Sequence, residues 1–213
     1  MNNNSKWNNQ KVIKWYCSRK HIQNGEKKIL ELVDFSNVNN MLDIGVGGGR
    51  TSIYFIELVK SYLGIDIIRD FIDFLQNKYS QKQFKCMNVL DITNLEKTFD
   101  FILFSHNGID NLLTLEKYTK ALDNMYKVCN KNGYVCFSSH NIWKLNKNND
   151  FALIQCDVVG TRMEQVNTNP LFLIKLLKKN NYSSIIVIDR DGKIIDINKE
   201  KTKSAWLYYL CKK

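Results

Sequence analysis

The sequence predicts an α/β protein with a mostly parallel sheet of seven strands and helices on both faces. Short apolar runs alternate along the chain with longer segments that have helical apolar spacing, as expected for alternating strands and helices. A glycine-rich loop follows the first apolar run directly, and the last two runs, Ser183–Asp189 and Ser204–Leu210, follow each other without a helix between them. We therefore expect parallel strands joined by helices and closed by an antiparallel C-terminal strand.

The segment that precedes the first strand is predicted to be helical. Residues 1–9 are polar, and we expect them to be frayed. Lys11–Lys20 and Glu26–Phe35 have the spacing of two helices, the second with a clear apolar face. Two helices therefore lead into the first strand.

The stretch around the glycines is the most informative part of the chain. Met41–Ile44 is predicted to be a buried strand, Gly45–Gly49 allow the backbone to turn sharply at its end, and Thr51–Lys60 has helical spacing. This order places loop amides and a helix N-terminus at the carboxyl edge of a sheet, where α/β folds bind nucleotides. Arg50 stands where the dinucleotide fingerprint needs its third glycine, and no Gly-Lys-Ser/Thr follows. NAD binding and a phosphate-binding P-loop are both disfavoured.

The next elements continue the alternation. Tyr62–Asp66 is predicted to be a strand that ends in a carboxylate, Ile68–Tyr79 a helix, and Gln83–Val89 a third strand. Asp91 follows at once, and it can act as the N-cap of a short segment, Thr93–Lys97.

Polar residues follow the fourth and fifth strands. Phe99–Phe104 is apolar throughout, as a central parallel strand should be, and Thr114–Asn130 has clean helical spacing before the strand Tyr134–Ser139. The trio Ser-His-Asn occurs at both strand ends, at Ser105–Asn107 and Ser139–Asn141. Because the carboxyl ends of neighbouring parallel strands share one edge, we predict a polar pocket there.

The C-terminal third is less regular. Lys144–Asp150 is a polar loop, and Phe151–Val159 is either an edge strand or a substrate-covering insertion. Asn169–Lys179 is predicted to be a helix, with Pro170 in its first turn. The two closing strands follow.

These motifs resemble those of the class I S-adenosylmethionine (SAM) dependent methyltransferases. The first motif of that family is an acidic residue two positions before Gly-x-Gly-x-Gly, which Asp43, Gly45, Gly47 and Gly49 match. Its second is an acidic residue at the end of the next strand, which Asp66 supplies. The resemblance implies a Rossmann-like fold and SAM as the cofactor.

It also implies how the chain is organised. We expect a single methyltransferase domain over residues 1–213, in which residues 1–36 form an N-terminal helical lid. Residues 37–141 would form the SAM-binding core, and residues 142–213 a substrate-covering segment with the closing strands. Tyr16 on the lid and Asn141 at the end of the fifth strand are candidate substrate contacts, although Tyr16 can instead be an aromatic residue packed on the core.

The resemblance assigns further cofactor contacts. Asp66 would accept hydrogen bonds from the ribose hydroxyls, and Ile67 would pack on the adenine face. Asp91 and Ile92 would contact the adenine, with N-capping as the alternative for Asp91, and Ser105 would contact the cofactor from the fourth strand.

Methyl transfer to a hydroxyl needs a base. An unperturbed imidazole is suited to this at neutral pH, so His106 is the first candidate and His140 the second, with Asn107 beside them. Activity would then rise through roughly pH 6 to 7 as His106 loses its proton. Each histidine can instead be a hydrogen-bonded residue at a strand end. If the acceptor is already ionised, no base is needed and His106 would only orient it.

The acceptor is predicted to be a small polar molecule. The phrases Phe104–Asp110 and Phe137–Asn141 are similar to bacterial small-molecule methyltransferases of surface-glycan and deoxysugar modification. This resemblance implies a hydroxyl or a phosphate or phosphoramidate oxygen of a sugar-linked metabolite in surface-polysaccharide biosynthesis. An RNA methyltransferase and a non-catalytic SAM-binding partner protein are the alternatives.

The composition limits the kinds of partner and site that we expect. The formal charge of +10 comes mostly from dispersed lysines, which disfavours a dedicated nucleic-acid surface. The six cysteines contain no C-x-x-C, which indicates buried thiols in a reducing compartment and no metal site. No apolar run reaches the roughly 18 residues of a membrane span, so we expect a cytoplasmic protein.

Overall fold

A parallel sheet forms the centre of the molecule, whose computed structural model describes residues 4–213. Strand β1 (Asn40–Ile44) lies between β2 (Ser61–Asp66) and β4 (Phe99–Phe104), with β3 (Gln83–Cys86) beyond β2 and β5 (Cys129–Asn141) beyond β4. All four of these pairings are parallel. The carboxyl ends of β1, β2 and β4 therefore meet at one edge of the sheet.

An antiparallel hairpin follows β5. It consists of β6 (Phe151–Val158) and β7 (Thr161–Thr168), and β7 pairs in parallel with the last two residues of β5. The pairing of β4 with β5 ends at Phe137, so β5 continues beyond β4 and leaves that edge open for β7. The hairpin is thereby placed over the carboxyl edge of the sheet, and Phe151–Val158 is an edge strand, the first of the two alternatives for this segment.

The closing strands complete the predicted architecture. Strand β8 (Ser184–Asp189) pairs with β9 (Trp206–Lys212), and β9 lies antiparallel to both β8 and β5. The order β3, β2, β1, β4, β5, β9, β8 is the predicted seven-stranded, mostly parallel sheet with an antiparallel C-terminal strand. The hairpin adds two strands that were not counted.

Helices cover both faces of the sheet, as predicted. Leu42 and Ile44 of β1 join an apolar cluster with the last two helices, whereas Met41, on the opposite face, joins one with the third, fourth and fifth helices. The helices are α1 (Asn4–Trp7), α2 (Gln10–Ser18), α3 (Asn24–Leu32), α4 (Ser52–Phe55), α5 (Arg69–Lys78), α6 (Leu115–Val128) and α7 (Pro170–Lys179). Short 3₁₀ turns span Phe35–Asn37, Val89–Leu95, Gly108–Asn111 and Ile142–Leu145.

Two local predictions differ from the structure. The helix expected over Thr51–Lys60 is only the single turn α4, because the chain must reverse within five residues for Ser61 to pair beside β1. The N-terminus is helical from Asn4, where fraying was expected, and Trp7 Nε1 donates to Asn111 Oδ1 at 3.1 Å. Residues 1–3 of that predicted frayed segment lie outside the described residues.

A buried ion pair ties α3 to the glycine loop. Arg50 donates from Nη1 to Glu26 Oε2 at 2.6 Å and from Nη2 to Glu26 Oε1 at 2.5 Å, and Glu26 is completely buried. Gln23 N also donates to Glu26 Oε2 at 2.8 Å, and Ser105 Oγ donates to Oε1. Burial opposes ionisation, but the hydrogen bonds and charge of Arg50 hold the pKa of Glu26 below its usual value. The loop, α3 and the end of β4 are thereby joined through one carboxylate.

A second buried carboxylate lies near the carboxyl end of β1. Asp43 Oδ2 accepts hydrogen bonds from Tyr62 Oη at 2.7 Å and from Thr51 Oγ1 at 3.1 Å, and Tyr62 Oη also contacts Ser52 Oγ at 2.7 Å. Burial raises the pKa of Asp43 to about 7, because these neutral donors compensate only part of the cost of desolvation.

Removing the carboxylate of the ion pair should be strongly destabilising. Glu26→Ala leaves Arg50 buried without its partner, and we expect a loss of about 3 to 5 kcal/mol in the free energy of unfolding. The matched control is Glu31→Ala on the same helix, whose pair with Lys28 is exposed and worth less than about 1 kcal/mol. Denaturant titration of both variants measures this free energy. Equally small losses in the two variants would show that the buried pair does not stabilise the fold.

Asp43 should make stability depend on pH. Its raised pKa means that the folded state binds the proton more tightly than the unfolded chain, so this contribution is complete below about pH 4 and is lost as the pH rises through about 7. Asp43→Asn cannot ionise, and its stability relative to wild type should improve by about 2 kcal/mol between pH 5 and pH 8.

The control for this pH effect is Asp73→Asn, on the exposed face of α5. Its stability difference from wild type should be the same at both pH values. Parallel stability curves for wild type and Asp43→Asn would show that Asp43 does not titrate in this range.

Candidate cofactor and acceptor site

A cavity of about 590 Å³ opens at the carboxyl edge of the sheet. This volume lies within the range of small-molecule sites. Its floor comes from the strand ends and the glycine loop, and its cover from α1, α2 and the β6–β7 hairpin. The lining residues are Trp7, Tyr16, Asp43–Gly48, Arg50, Thr51, Asp66–Ile68, Phe71, Met87–Leu90, Phe104–His106, Gly108, Asn111–Thr114, Lys117, Leu153, Glu164 and Gln165.

The glycine loop forms one wall of the cavity. Gly45 and Gly47 line it and have left-handed φ angles of +66° and +50°. Gly48 lies against the end of α2, where a Cβ atom would come within 2.4 Å of the carbonyl oxygen of Tyr16. Gly49, predicted to contact the cofactor, is not among the lining residues, because it faces Leu75 of α5, where a Cβ atom would come within 2.5 Å of the leucine side chain.

Asp66 lies at the end of β2 and in the cavity wall. Its Oδ2 accepts from Gly47 N and its Oδ1 from Ile68 N, both at 2.9 Å. Burial raises its pKa, and these amides oppose the shift. The neighbouring Ile67 is 40% exposed and lines the cavity, so an apolar surface lies next to the carboxylate.

The predicted adenine contacts lie elsewhere. Asp91 is exposed and Ile92 is completely buried in the core, and neither lines the cavity. The preceding residues, Met87–Leu90, line it instead. Asn88 Oδ1 caps the 3₁₀ turn by accepting from Leu90 N at 2.9 Å, and the turn directs Asp91 outwards. The positions of Asp91 and Ile92 outside the cavity wall therefore do not support their predicted contact with adenine.

The end of β4 brings a strained turn into the cavity. His106 and Asn107 both have left-handed φ angles, +52° and +58°, which are costly for residues other than glycine and often mark functional sites. Asn107 N donates to Ser138 Oγ at 2.8 Å, which supports the turn. Ser105 and His106 line the cavity, and the ring of Tyr16 lies edge-on to His106 at 5.9 Å between centroids.

His106 is neutral over the physiological range. Burial, together with the charges of Arg50 and Arg19, lowers its pKa to about 3. The expected rise in activity through pH 6 to 7 therefore cannot come from His106 as it stands in this structure.

The second Ser-His-Asn trio serves the scaffold. His140 Nδ1 lies 2.7 Å from Asp110 Oδ2, and its Nε2 lies 3.2 Å from Asn107 Nδ2, so both ring nitrogens are engaged. Asn141 caps the following 3₁₀ turn and donates to the carbonyls of Thr202 and Ser204. None of His140, Asn107 and Asn141 lines the cavity. Their predicted catalytic or substrate-binding roles are not supported by their positions.

Several lining residues had no predicted role. Arg50 was noted only because it breaks the dinucleotide fingerprint, yet it lies in the cavity wall. Leu153, Glu164 and Gln165 of the hairpin complete the cover. No local sequence pattern links these residues to the strand ends, because the link is made by pairing of distant segments.

Neither a metal-ligand cluster nor a membrane-spanning helix occurs within residues 4–213. Within that range no group of histidine, cysteine, aspartate or glutamate side chains is arranged to hold a metal ion. No helix in the same range combines the length and apolar character needed to cross a membrane.

The sequence also matches known proteins. Residues 41–133 match the family model described as a methyltransferase domain. Over 108 residues the chain is 25% identical to YqeM of Bacillus subtilis (strain 168), whose name describes it as a methyltransferase. That alignment covers 49% of this chain and 44% of YqeM, so the chain spans less than half the length of this curated relative.

Solved structures share the fold over most of the chain. A SAM-dependent methyltransferase from Clostridium acetobutylicum ATCC 824 aligns with a TM-score of 0.70 at 14% identity, covering 89% of this chain and 90% of the other. The N-methyltransferase NodS from Bradyrhizobium japonicum WM9, in complex with S-adenosyl-L-homocysteine, aligns with a TM-score of 0.65 at 14% identity, covering 96% and 98%. Residues 41–133 are thus similar to a methyltransferase domain, and the chain has the fold of solved SAM-dependent methyltransferases.

Proposed function

We propose that the protein binds SAM in the cavity and transfers the methyl group to a small polar acceptor held in the same cavity. One observation carries this proposal: the glycine loop, Asp66 and the turn at Ser105–His106 line one continuous space. A cofactor on the loop and an acceptor at the strand end can then be held side by side. Alignment of the two reactants supplies a large part of the rate acceleration in such transfers.

The residues of the inner wall fit the cofactor. Asp66 accepts backbone amides at both carboxylate oxygens, and since a carboxylate has about four acceptor sites, one remains for a ribose hydroxyl. Ile67, Val89 and Leu90 offer an apolar surface to an aromatic base. Bound SAM would supply an electrophilic methyl group on a sulfonium. The chain's own residues would hold the ribose, cover the base and exclude water through α2 and the hairpin.

The outer part of the cavity is suited to a small acceptor. Trp7, Asn111, Lys117 and the hairpin enclose this part, so the acceptor is limited in size. With the resemblance of the strand-end phrases, this supports a hydroxyl or a phosphate or phosphoramidate oxygen of a sugar-linked metabolite. We extend the proposal to surface-polysaccharide biosynthesis on that resemblance alone.

SAM binding should depend on Asp66. Asp66→Ala removes the carboxylate that would accept hydrogen bonds from the ribose hydroxyls, each worth about 1.5 to 3 kcal/mol. The affinity for SAM, measured by calorimetry, should therefore fall at least about tenfold. Asp91→Ala is the matched control, and it should bind SAM like the wild type because Asp91 lies outside the cavity. An unchanged Kd in Asp66→Ala, or a weakened one in Asp91→Ala, would reject this placement of the cofactor.

Methyl transfer itself is tested with labelled SAM. Purified protein is incubated with panels of nucleotide sugars, glycans, phosphoramidates and RNA, and label transfer is measured for each. We expect label in a small sugar-linked acceptor. Label in RNA alone would reject the small-molecule proposal, and SAM binding without transfer to any panel would favour a non-catalytic role.

A further inference from the structure

A chain of two hydrogen bonds connects the core to His106. Tyr208 Oη donates to Gln23 Oε1, and Gln23 Nε2 lies 3.1 Å from His106 Nδ1. Gln23 immediately precedes α3, and Tyr208 lies in the middle of β9. The side-chain amide of Gln23 therefore links the start of α3 to the sheet and to the cavity.

The orientation of this amide is determined by Tyr208. Tyr208 is completely buried, and Gln23 Oε1 accepts its hydroxyl proton, whereas the side chain of Trp206 can only donate to the same hydroxyl. If the amide were reversed, its NH₂ group would face the tyrosine oxygen and the buried hydroxyl proton would lose its acceptor. An unsatisfied buried donor is costly, so the amide oxygen faces Tyr208 and the NH₂ group faces His106.

This orientation assigns the tautomer of His106. Nδ1 accepts from Gln23, so the proton of the neutral imidazole is on Nε2. Within residues 4–213, Nε2 has no hydrogen-bond partner, and it is not among the fully enclosed polar atoms, so it is open to the cavity that the residue lines. His106 therefore offers the cavity an N–H donor, whereas a base would need a bare nitrogen there.

The charges around His106 favour an anion over a cation. Arg50 and Arg19 both disfavour a positively charged imidazole, and only Arg50 has a carboxylate partner among the described residues, Glu26. Arg19 instead lies over the ring of Trp15, with 4.4 Å between the guanidinium carbon and the ring centroid. A negatively charged group at His106 Nε2 would meet a hydrogen-bond donor and the charges of Arg50 and Arg19, which Glu26 offsets in part.

We propose that the methyl acceptor is an oxygen that is already ionised, in a carboxylate or a phosphate, and that His106 Nε2–H donates a hydrogen bond to the acceptor's anionic group. This inference rests on the proposed methyl transfer and names its acceptor class. In the reaction an oxygen lone pair forms the new C–O bond, the C–S bond of the sulfonium breaks, and its electron pair stays on sulfur. No proton has to leave the acceptor, so no base is required. Gln23 is a positioning residue that acts through His106.

Nitrogen NMR tests the tautomer without needing activity. In wild-type protein saturated with S-adenosylhomocysteine at pH 7.5, we expect the ¹⁵N shifts of His106 to show an unprotonated Nδ1 and a protonated Nε2. The isosteric variant Gln23→Glu presents an acceptor to Nδ1 and should move the proton there. A wild-type spectrum with the proton on Nδ1 would overturn the assignment.

Acceptor pairs test the substrate class. Label transfer from SAM is compared between sugar phosphates or uronic acids and the matched uncharged sugars, and we expect it only with the charged members. The phosphate and carboxylate arms distinguish the two sources of the ionised oxygen. Transfer to the hydroxyl of an uncharged sugar would reject the inference while leaving the proposed methyltransferase function intact, whereas failure of SAM binding would reject the function itself.

Variants with opposite expected effects complete the test. Gln23→Glu should reduce turnover about ten- to one-hundredfold, because Nε2 loses its proton, whereas a base mechanism predicts an increase. Gln81→Glu, at an exposed position before β3, is the control for the added charge. His106→Gln keeps a side-chain N–H donor and should retain more turnover than His106→Ala. A base mechanism predicts instead that turnover falls by about 10² to 10⁴-fold in both variants.

If Gln23→Glu does not fold, Tyr208→Phe provides the second variant. It removes the donor that orients Gln23, so the NMR spectrum should show both tautomers of His106. An unchanged single tautomer in Tyr208→Phe would show that Tyr208 does not orient the amide.

Discussion

The shape of the cavity depends on the buried ion pair between Glu26 and Arg50. Both carboxylate oxygens of Glu26 are saturated by donors from three parts of the chain: the residue before α3, the glycine loop and the end of β4. Burying two charges is costly, and the attraction between them repays that cost only when the geometry is good and the remaining hydrogen bonds are made. Both conditions are met here, so the pair fixes the position of α3 relative to the glycine loop.

The same cluster controls the chemistry of His106. Arg50 contributes to the positive environment that keeps the imidazole neutral, and Gln23, whose backbone amide binds Glu26, reaches the ring with its side chain. The left-handed backbone at His106 and Asn107 turns the histidine away from the strand direction and into the cavity. A strained conformation of this kind needs support, which Ser138 provides through Asn107 N.

The two Ser-His-Asn trios show the limit of what a residue pattern alone can predict. In sequence they are equivalent, and each follows a strand that ends at the same edge of the sheet. His106 leaves its strand through the left-handed turn, whereas His140 continues along β5 and is held by Asp110. Backbone conformation and a carboxylate 30 positions away make the difference, and neither can be read from the trio itself. Asp91 was likewise misplaced, because the 3₁₀ turn that directs it outwards has no distinctive sequence signal.

The sequence by itself determined the alternation of strands and helices, the glycine loop and the carboxylate at the end of β2. These features depend on apolar periodicity and on residues that are adjacent along the chain. Such local interactions extend over only one or two turns of backbone. Only the tertiary structure decided the contact of Glu26 with Arg50, the bridge from Tyr208 through Gln23 to His106, and the position of the hairpin over the cavity. Gln23 and Tyr208 are 185 positions apart, and the hydrogen bond between them exists because sheet pairing brings β9 beside the entry to α3. Such contacts depend on distances and angles between whole elements, and those are fixed when the two faces of the sheet are packed.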